Sequence, residues 1–308
     1  MIDEKSSYAY SENLLSAYLK GLLIGVANVI PGVSGGTLAL TLGIYYRVVY
    51  SCSALMKARG RGDVTFLTVL SLGVLTTAVV LSKLLKVYIL DGKTGEACLS
   101  MLITGLITES VFSIRKEIKT KEMSDKGSKA VAYCLTLLGL FSVLSVLIIG
   151  NHGLSIDNKY QDRKSMEYFL LITSSGVISG SAMVIPGLSG SLLLLSLGTY
   201  KEIIHIVSSL SIIPCLIFGI SAATGAGTTT LLIKKAIDKH LIKFLHLAIG
   251  LIAGSILQIL SRMSKLNLEP SLPLLVASTI LFGTGFYINK KLKETQDTSE
   301  VFYTEDRT

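Results

Sequence analysis

Charged residues fall in short clusters along this chain, and between them lie long stretches that carry none: 21–46, 64–82, 130–151, 168–200, 203–233, 244–261 and 270–289. Each is near or above the roughly 18 to 20 residues that cross a hydrocarbon core about 30 Å thick. A soluble chain of this length does not repeat such runs seven times. The pattern predicts an all-α polytopic membrane protein, with full spans starting near Val64, Ala97, Ala130, Ile212, Phe244 and Pro270.

Two of the apolar runs are broken in the middle by the same motif. Val29-Ile30-Pro31-Gly32-Val33-Ser34-Gly35-Gly36 occurs once, and Val184-Ile185-Pro186-Gly187-Leu188-Ser189-Gly190-Ser191 later; each is followed at the same distance by Leu-Gly-x-Tyr, ending at Tyr45 and Tyr200. One straight helix over 168–200 would be roughly 50 Å long, more than the core can hold. Proline removes a donor and clashes with the preceding turn, and glycine accepts almost any backbone angle, so the chain bends at Pro31-Gly32 and Pro186-Gly187. Irregular backbone at that depth needs protein or a cavity to satisfy it, which points to a buried site at the two breaks.

The repeat extends past the motif. Residues 21–45 and 176–200 share about 14 identities in 25 positions, and Thr104-Gly105-Leu106-Ile107 with Ser110 resembles Ile249-Gly250-Leu251-Ile252 with Ser255. The chain divides into a first repeat, 1–150, with a re-entrant hairpin at 14–56 and three spans; an outer linker, 151–164; a second repeat, 165–291, with a hairpin at 168–210 and three spans; and a cytoplasmic tail, 292–308. Three crossings per half is an odd number, so the second half is inverted with respect to the first, the arrangement by which transporters build a site at the midplane.

Charge placement supports this threading. Basic clusters occur at Lys57 to Arg61, Arg115 to Lys129, Lys234 to Lys243 and Lys290 to Lys293. If each hairpin leaves on the face it entered, one from each side of the membrane, and the N-terminus is inside, all four clusters lie on the cytoplasmic side, as the positive-inside rule requires; hairpins that crossed in series would put Arg115 to Lys129 outside. The same placement accounts for the net charge of +8 without nucleic acid. Both termini are expected in the cytoplasm, and the first residues do not resemble a cleavable signal peptide.

The chemistry lies at the helix starts after each break. Amides in a first helical turn lack intrahelical partners and sit at the positive end of the helix dipole, which suits a phosphate or carboxylate. Ser34 and Ser189 are placed as N-caps; Gly35, Gly36, Gly190 and Ser191 leave the amides accessible; Asn28 and Thr37 could add hydrogen bonds. Small residues also pack membrane helices closely, the plainer role for Gly35, Gly36 and Gly190. Arg47 either snorkels to the interface or guides an anionic head group. Glu109 reads as a loop-facing carboxylate at a span end, with a proton-linked role as the alternative, and Lys201 and Glu202 read as interfacial. Gly225-Ala226-Gly227-Thr228 lacks the lysine and the strand of a phosphate loop. Cys52, Cys98, Cys134 and Cys215 read as small buried hydrophobes, and the four histidines lack metal-ligand spacing, so no metal or cofactor is expected. Acid, base and metal groups in the spans are too few for an enzyme acting on lipid phosphates.

The doubled motif, Ala27-Asn28-x-x-Pro31-Gly32-Val33-Ser34-Gly35-Gly36-Thr37 with Leu42-Gly43-Ile44-Tyr45, and Pro186-Gly187-Leu188-Ser189-Gly190-Ser191 with Leu197-Gly198-x-Tyr200, resembles the bacterial polyprenyl-phosphate translocase family, PopT type, first catalogued as a domain of unknown function. The resemblance covers nearly the whole chain. It implies a translocase that returns undecaprenyl phosphate from the outer to the inner leaflet of the cytoplasmic membrane, without chemical conversion, for cell-wall synthesis. It also implies a lipid phosphate framed by Pro31 to Thr37 and Pro186 to Ser191, with Arg47 matching a basic residue after the first motif. In the family an acidic residue often follows the motif tyrosines; here Tyr46 and Lys201 stand there. Alternating access by rocking one half against the other is the expected mechanism. A transporter of a small soluble anion using the same cradle is the second reading, and a homo-oligomer is left open.

Overall fold

The computed structural model describes residues 13–29, 34–56, 61–77, 93–122, 129–152, 163, 165–209, 211–266, 268 and 271–305. These are helical, with no strand among the described residues. In chain order the helices are α1 (Leu14–Val29), α2 (Gly35–Thr41), α3 (Tyr45–Met56), α4 (Arg61–Thr76), α5 (Lys93–Glu122), α6 (Lys129–His152), α7 (Met166–Val184), α8 (Gly190–Ser196), α9 (Tyr200–Ser208), α10 (Ile212–Ser264) and α11 (Leu272–Glu305). Five of them, α5, α6, α7, α10 and α11, are long and apolar enough to cross a membrane, and α2 with α3 makes a sixth candidate that is bent by 118°.

α10 has 53 residues and a non-helical backbone at His240 (φ −144°, ψ 48°). At 1.5 Å per residue its length is about 80 Å, more than twice a bilayer core, so it is two arms, 212–239 and 241–264. The basic cluster of 234–243 falls at this kink. There Lys234 bonds Asp238 at 2.7 Å and lies 4.6 Å over the Tyr50 ring, while the Tyr50 hydroxyl donates to Asp238, which ties α3 to the kink.

α2 and α8 end alike. Gly43 (φ 72°) and Gly198 (φ 70°) take the left-handed region that glycine enters without steric cost. The following amides reach back five residues: Ile44 N–H donates to Ala39 O at 3.0 Å and Thr199 N–H to Leu194 O at 2.9 Å. These are Schellman stops, which satisfy the last carbonyls and aim the chain into the next helix.

Small residues let the long helices cross in close contact. A Cβ on Gly105 of α5 would sit 2.0 Å from Phe282 O of α11, and one on Gly285 of α11 would sit 2.0 Å from Leu102 O of α5. A Cβ on Gly250 of α10 would sit 1.9 Å from Thr136 O of α6, and one on Gly139 of α6 would sit 2.5 Å from Leu247 O. Position by position these are one contact made twice, and in both the last long helix of one half packs on a helix of the other. Near the two motifs, Gly21 of α1 meets Leu70 O of α4 as Gly176 of α7 meets Phe218 O of α10.

α2 is largely buried: Leu38, Ala39 and Leu40, with Leu42 just after it, belong to one apolar cluster with Ile103 and Ile107 of α5 and Leu245, Ala248 and Ile252 of α10. α6 and α11 carry their large apolar side chains outward, among them Tyr133, Leu137 and Phe141 on α6 and Leu272, Leu275 and Ile280 on α11. An exterior of this kind suits hydrocarbon, not water.

Candidate functional site

The second motif forms a tight turn. α7 stops at Val184 because Pro186 offers no amide. Leu188 N–H donates to Ile185 O at 3.3 Å, with Pro186 and Gly187 (φ 84°) between them, the residues that a type II turn requires at its two central positions. The break leaves the last carbonyls of α7 without helical partners. In a membrane such groups cost several kcal/mol each unless protein satisfies them.

The first motif supplies the missing partners. Tyr45 Oη donates to Val184 O at 2.9 Å, Ser34 Oγ donates to Ile185 O at 3.4 Å, and Gly187 N–H donates to Thr37 Oγ1 at 2.7 Å. Gly36 permits the approach, since a Cβ there would lie 3.0 Å from Val184 O and 3.1 Å from Met183 O. The start of α2 and the second break, some 150 residues apart in sequence, thus meet, and their polar groups are in direct contact.

Of the residues expected to form the site, Ser34, Gly36, Thr37, Pro186, Gly187, Ser189 and Gly190 are buried, and Gly35 and Ser191 are half-buried. Ser34, Gly36 and Thr37 come together with Pro186 and Gly187. Ser189 and Ser191 bond each other at 2.9 Å, and Gly190 packs on α7, where its Cβ would lie 2.7 Å from Ser179 O. Ser34 and Ser189 do occupy the N-cap positions of α2 and α8, yet neither hydroxyl caps its own helix. Their hydrogen bonds run elsewhere, Ser34 to the other motif and Ser189 to Ser191. The Asn28 side chain, Pro31 and Gly32 lie outside the described residues. Arg47 is half-buried with its guanidinium 4.1 Å above the Phe66 ring of α4, a stacked cation and not one simply extended into water.

Two carboxylates differ from the sequence reading. Glu109 is not a loop-facing group: it is 5% exposed on α5. Its carboxylate accepts from the Ser113 hydroxyl and from the Asn289 amide of α11. Asn289 Nδ2 also reaches Leu106 O at 3.0 Å and Ser110 Oγ at 3.1 Å, and Ser110 Oγ donates to Thr41 Oγ1 of α2 at 2.9 Å. Glu202, expected at the interface, is buried within the protein, 6% exposed. It accepts from Tyr168 Oη at 2.9 Å and from Arg163 Nε at 3.1 Å. Lys201 is exposed. Lys20 of α1, 8% exposed, is a buried cation in a helix otherwise so apolar that only its charge marks it in the sequence.

All four cysteines are free; Cys52, Cys98 and Cys215 are half-buried rather than fully buried, and Cys134 is exposed on α6. Among the described residues no group of three or more His, Cys, Asp or Glu side chains could hold a metal ion.

Known proteins share this sequence pattern. The model of a family described as undecaprenyl phosphate translocase-like matches residues 24–270. A protein of Vibrio cholerae serotype O1 named polyprenyl-phosphate transporter is 31% identical over 223 residues, which is 67% of this chain and 64% of that protein. A Staphylococcus aureus protein of the same name is 27% identical over 293 residues, 89% of this chain and 94% of the relative. No solved structure matches the chain.

Proposed function

The chain belongs to the undecaprenyl phosphate translocase-like family, and from that premise we propose that it moves a polyprenyl phosphate, undecaprenyl phosphate or a close relative, from the outer to the inner leaflet of the bacterial cytoplasmic membrane. The lipid phosphate is held where the two motifs meet, and the tail stays in the bilayer. The observation that carries this reading is that the hydroxyls of Ser34, Thr37 and Tyr45 close on the backbone freed by the Pro186 break. Hydrogen-bonding groups held in so apolar a setting, at a contact between two separately broken segments, are the means by which a membrane protein exchanges internal partners for a polar ligand.

In this account 14–56 and 168–210 are re-entrant hairpins, and the halves 1–150 and 165–291 form an inverted repeat. The doubled glycine contacts of α5 with α11 and α10 with α6 support that symmetry. Parting of the motifs frees Ser34, Thr37, the Gly187 amide and the first-turn amides near Gly35, Gly36, Gly190 and Ser191 for the phosphate oxygens. Arg47 and Lys20, on the helices flanking the first motif, offset the negative charge as it enters. Rocking of one half against the other exposes the site to each leaflet in turn, with both termini in the cytoplasm.

The test is leaflet exchange of a short-chain fluorescent polyprenyl phosphate in proteoliposomes. Ser34→Ala with Ser189→Ala should slow exchange about tenfold or more while helical content is kept. An unchanged rate would remove the motifs from the site, and replacement of both serines by leucine should abolish exchange if the motifs must part.

A further inference from the structure

Glu109 and Asn289 form a polar contact that the fold itself does not need. The crossing of α5 with α11 is matched, position by position, by that of α10 with α6: Gly105 with Phe282 corresponds to Gly250 with Thr136, and Gly285 with Leu102 to Gly139 with Leu247. Carried one turn further, Glu109 corresponds to Gly254 and Asn289 to Val143. Gly254 and Val143 do meet, the valine Cβ lying 2.7 Å from where a glycine Cβ would be. One crossing is therefore closed by glycine against valine and its counterpart by a carboxylate against an amide. Packing explains the first pair. It does not explain why the second buries an ionisable group, which is costly in a membrane.

A second observation points the same way. Asn289 is 0% exposed, and its Oδ1 has no hydrogen-bond partner, whereas its Nδ2 has three acceptors within reach. The orientation is set by Leu106 O, a carbonyl that can only accept. A buried acceptor without a donor calls for an explanation. Glu109 accepts on both oxygens, from Ser113 and from Asn289, which suits a carboxylate. A proton on Glu109 would add one donor to a cluster that holds one idle acceptor.

We propose that Glu109 is the proton-binding site that couples transport to the proton gradient; this rests on the transport reading above. On protonation the carboxylate gains H⁺ from one aqueous side and its new O–H donates to Asn289 Oδ1, the amide turning away from Leu106 O. On deprotonation the proton leaves to the other side and the amide turns back. Each state favours a different seating of α11 on α5. The change reaches the site by contact: Asn289 bonds Ser110, Ser110 bonds Thr41 at the end of α2, and Thr37 in the same short helix holds Gly187. A two-state element joined to a site by packed groups is the physical requirement for coupling.

The other charged groups on the surrounding elements do not duplicate this one. On α5, Arg115, Lys116 and Lys119 are exposed and Glu117 is half-buried; on α11, Lys290 and Lys291 are exposed. On the second arm of α10, Lys243 is exposed, His246 lies 3.5 Å from Thr136 of α6, and Arg262 pairs with Glu96 at 2.7 Å. α2 carries no titratable side chain.

The test uses the whole chain in proteoliposomes under an imposed pH difference, with the same fluorescent polyprenyl phosphate. With one proton per lipid the steady-state leaflet ratio should shift about tenfold per pH unit. Glu109→Gln should still exchange lipid but lose this dependence. So should E109G/N289V, which copies the Gly254 and Val143 pair and for that reason is expected to fold. A wild-type ratio indifferent to the gradient, or either variant still responding to it, overturns the proposal. A lipid-independent measurement separates its failure from failure of the transport reading. In infrared difference spectra between high and low pH, a carboxylic-acid band should appear on acidification and be missing in Glu109→Gln, and identical spectra for the two proteins would also overturn it.

Discussion

Thr37→Val isolates the contact between the two motifs. Thr37 is 0% exposed, and its hydroxyl is the acceptor for Gly187 N–H at 2.7 Å. Valine keeps the shape and removes the acceptor, so the Gly187 amide is left buried without a partner where water does not reach. Leaving such a donor unsatisfied costs about 1–3 kcal/mol. Thr37→Ser is the matched control: it keeps the oxygen and loses one methyl group, worth about 0.8 kcal/mol. The sequence has no tryptophan, so unfolding in mixed micelles is best followed by the helical circular dichroism signal as denaturing detergent is added. Thr37→Val should be less stable than Thr37→Ser. Where the loss falls on the motif contact alone, the closed arrangement becomes roughly 5- to 150-fold less favoured. If Thr37→Val were as stable as Thr37→Ser or more so, the hydrogen bond between the motifs would not hold them together.

Two more outcomes follow from the geometry. Gly105→Ala and Gly250→Ala should each destabilise the protein, since the new methyl would lie about 2 Å from a backbone oxygen of the facing helix, whereas Gly283→Ala, with nothing within 4 Å, should be neutral or stabilise by up to about 1 kcal/mol through helix propensity; detergent unfolding ranks all three. Glu202→Gln should cost less than about 1 kcal/mol because Arg163 is half exposed and its ion pair is screened, but Glu202→Ala leaves the 2% exposed Tyr168 hydroxyl without its acceptor and should cost about 1–3 kcal/mol.

The break at Pro186-Gly187 and the two short helices after the motifs were legible because their signals are local. Proline and glycine inside an apolar run leave few other conformations, and helices do start at Gly35 and Gly190 and stop again before Gly43 and Gly198. What those segments touch was not legible. Ser34 looks like an N-cap by position, and only the packing of α2 on α7 shows its hydroxyl facing Ile185 O. The burial of Glu109 is hidden for a related reason. A single charge near the end of a span looks like the edge of a loop, and its burial depends on Asn289, 180 residues later. The internal repeat held the missing clue: Gly254 and Val143 stand where Glu109 and Asn289 do, a substitution that is visible only once the two crossings are superposed. The partners of Glu202, Arg163 before α7 and Tyr168 within it, are distant in sequence, and no hydrophobic period marks Arg163.

Head-group dependence decides whether this chain carries a polyprenyl lipid by its phosphate. Proteoliposomes holding the wild-type chain would be given matched fluorescent probes, a polyprenyl phosphate and the corresponding polyprenol, and the rate at which each changes leaflet would be compared with protein-free vesicles. The account predicts that the protein speeds exchange of the phosphate and leaves that of the alcohol at its protein-free rate. Equal acceleration of both probes, or of neither, would contradict it.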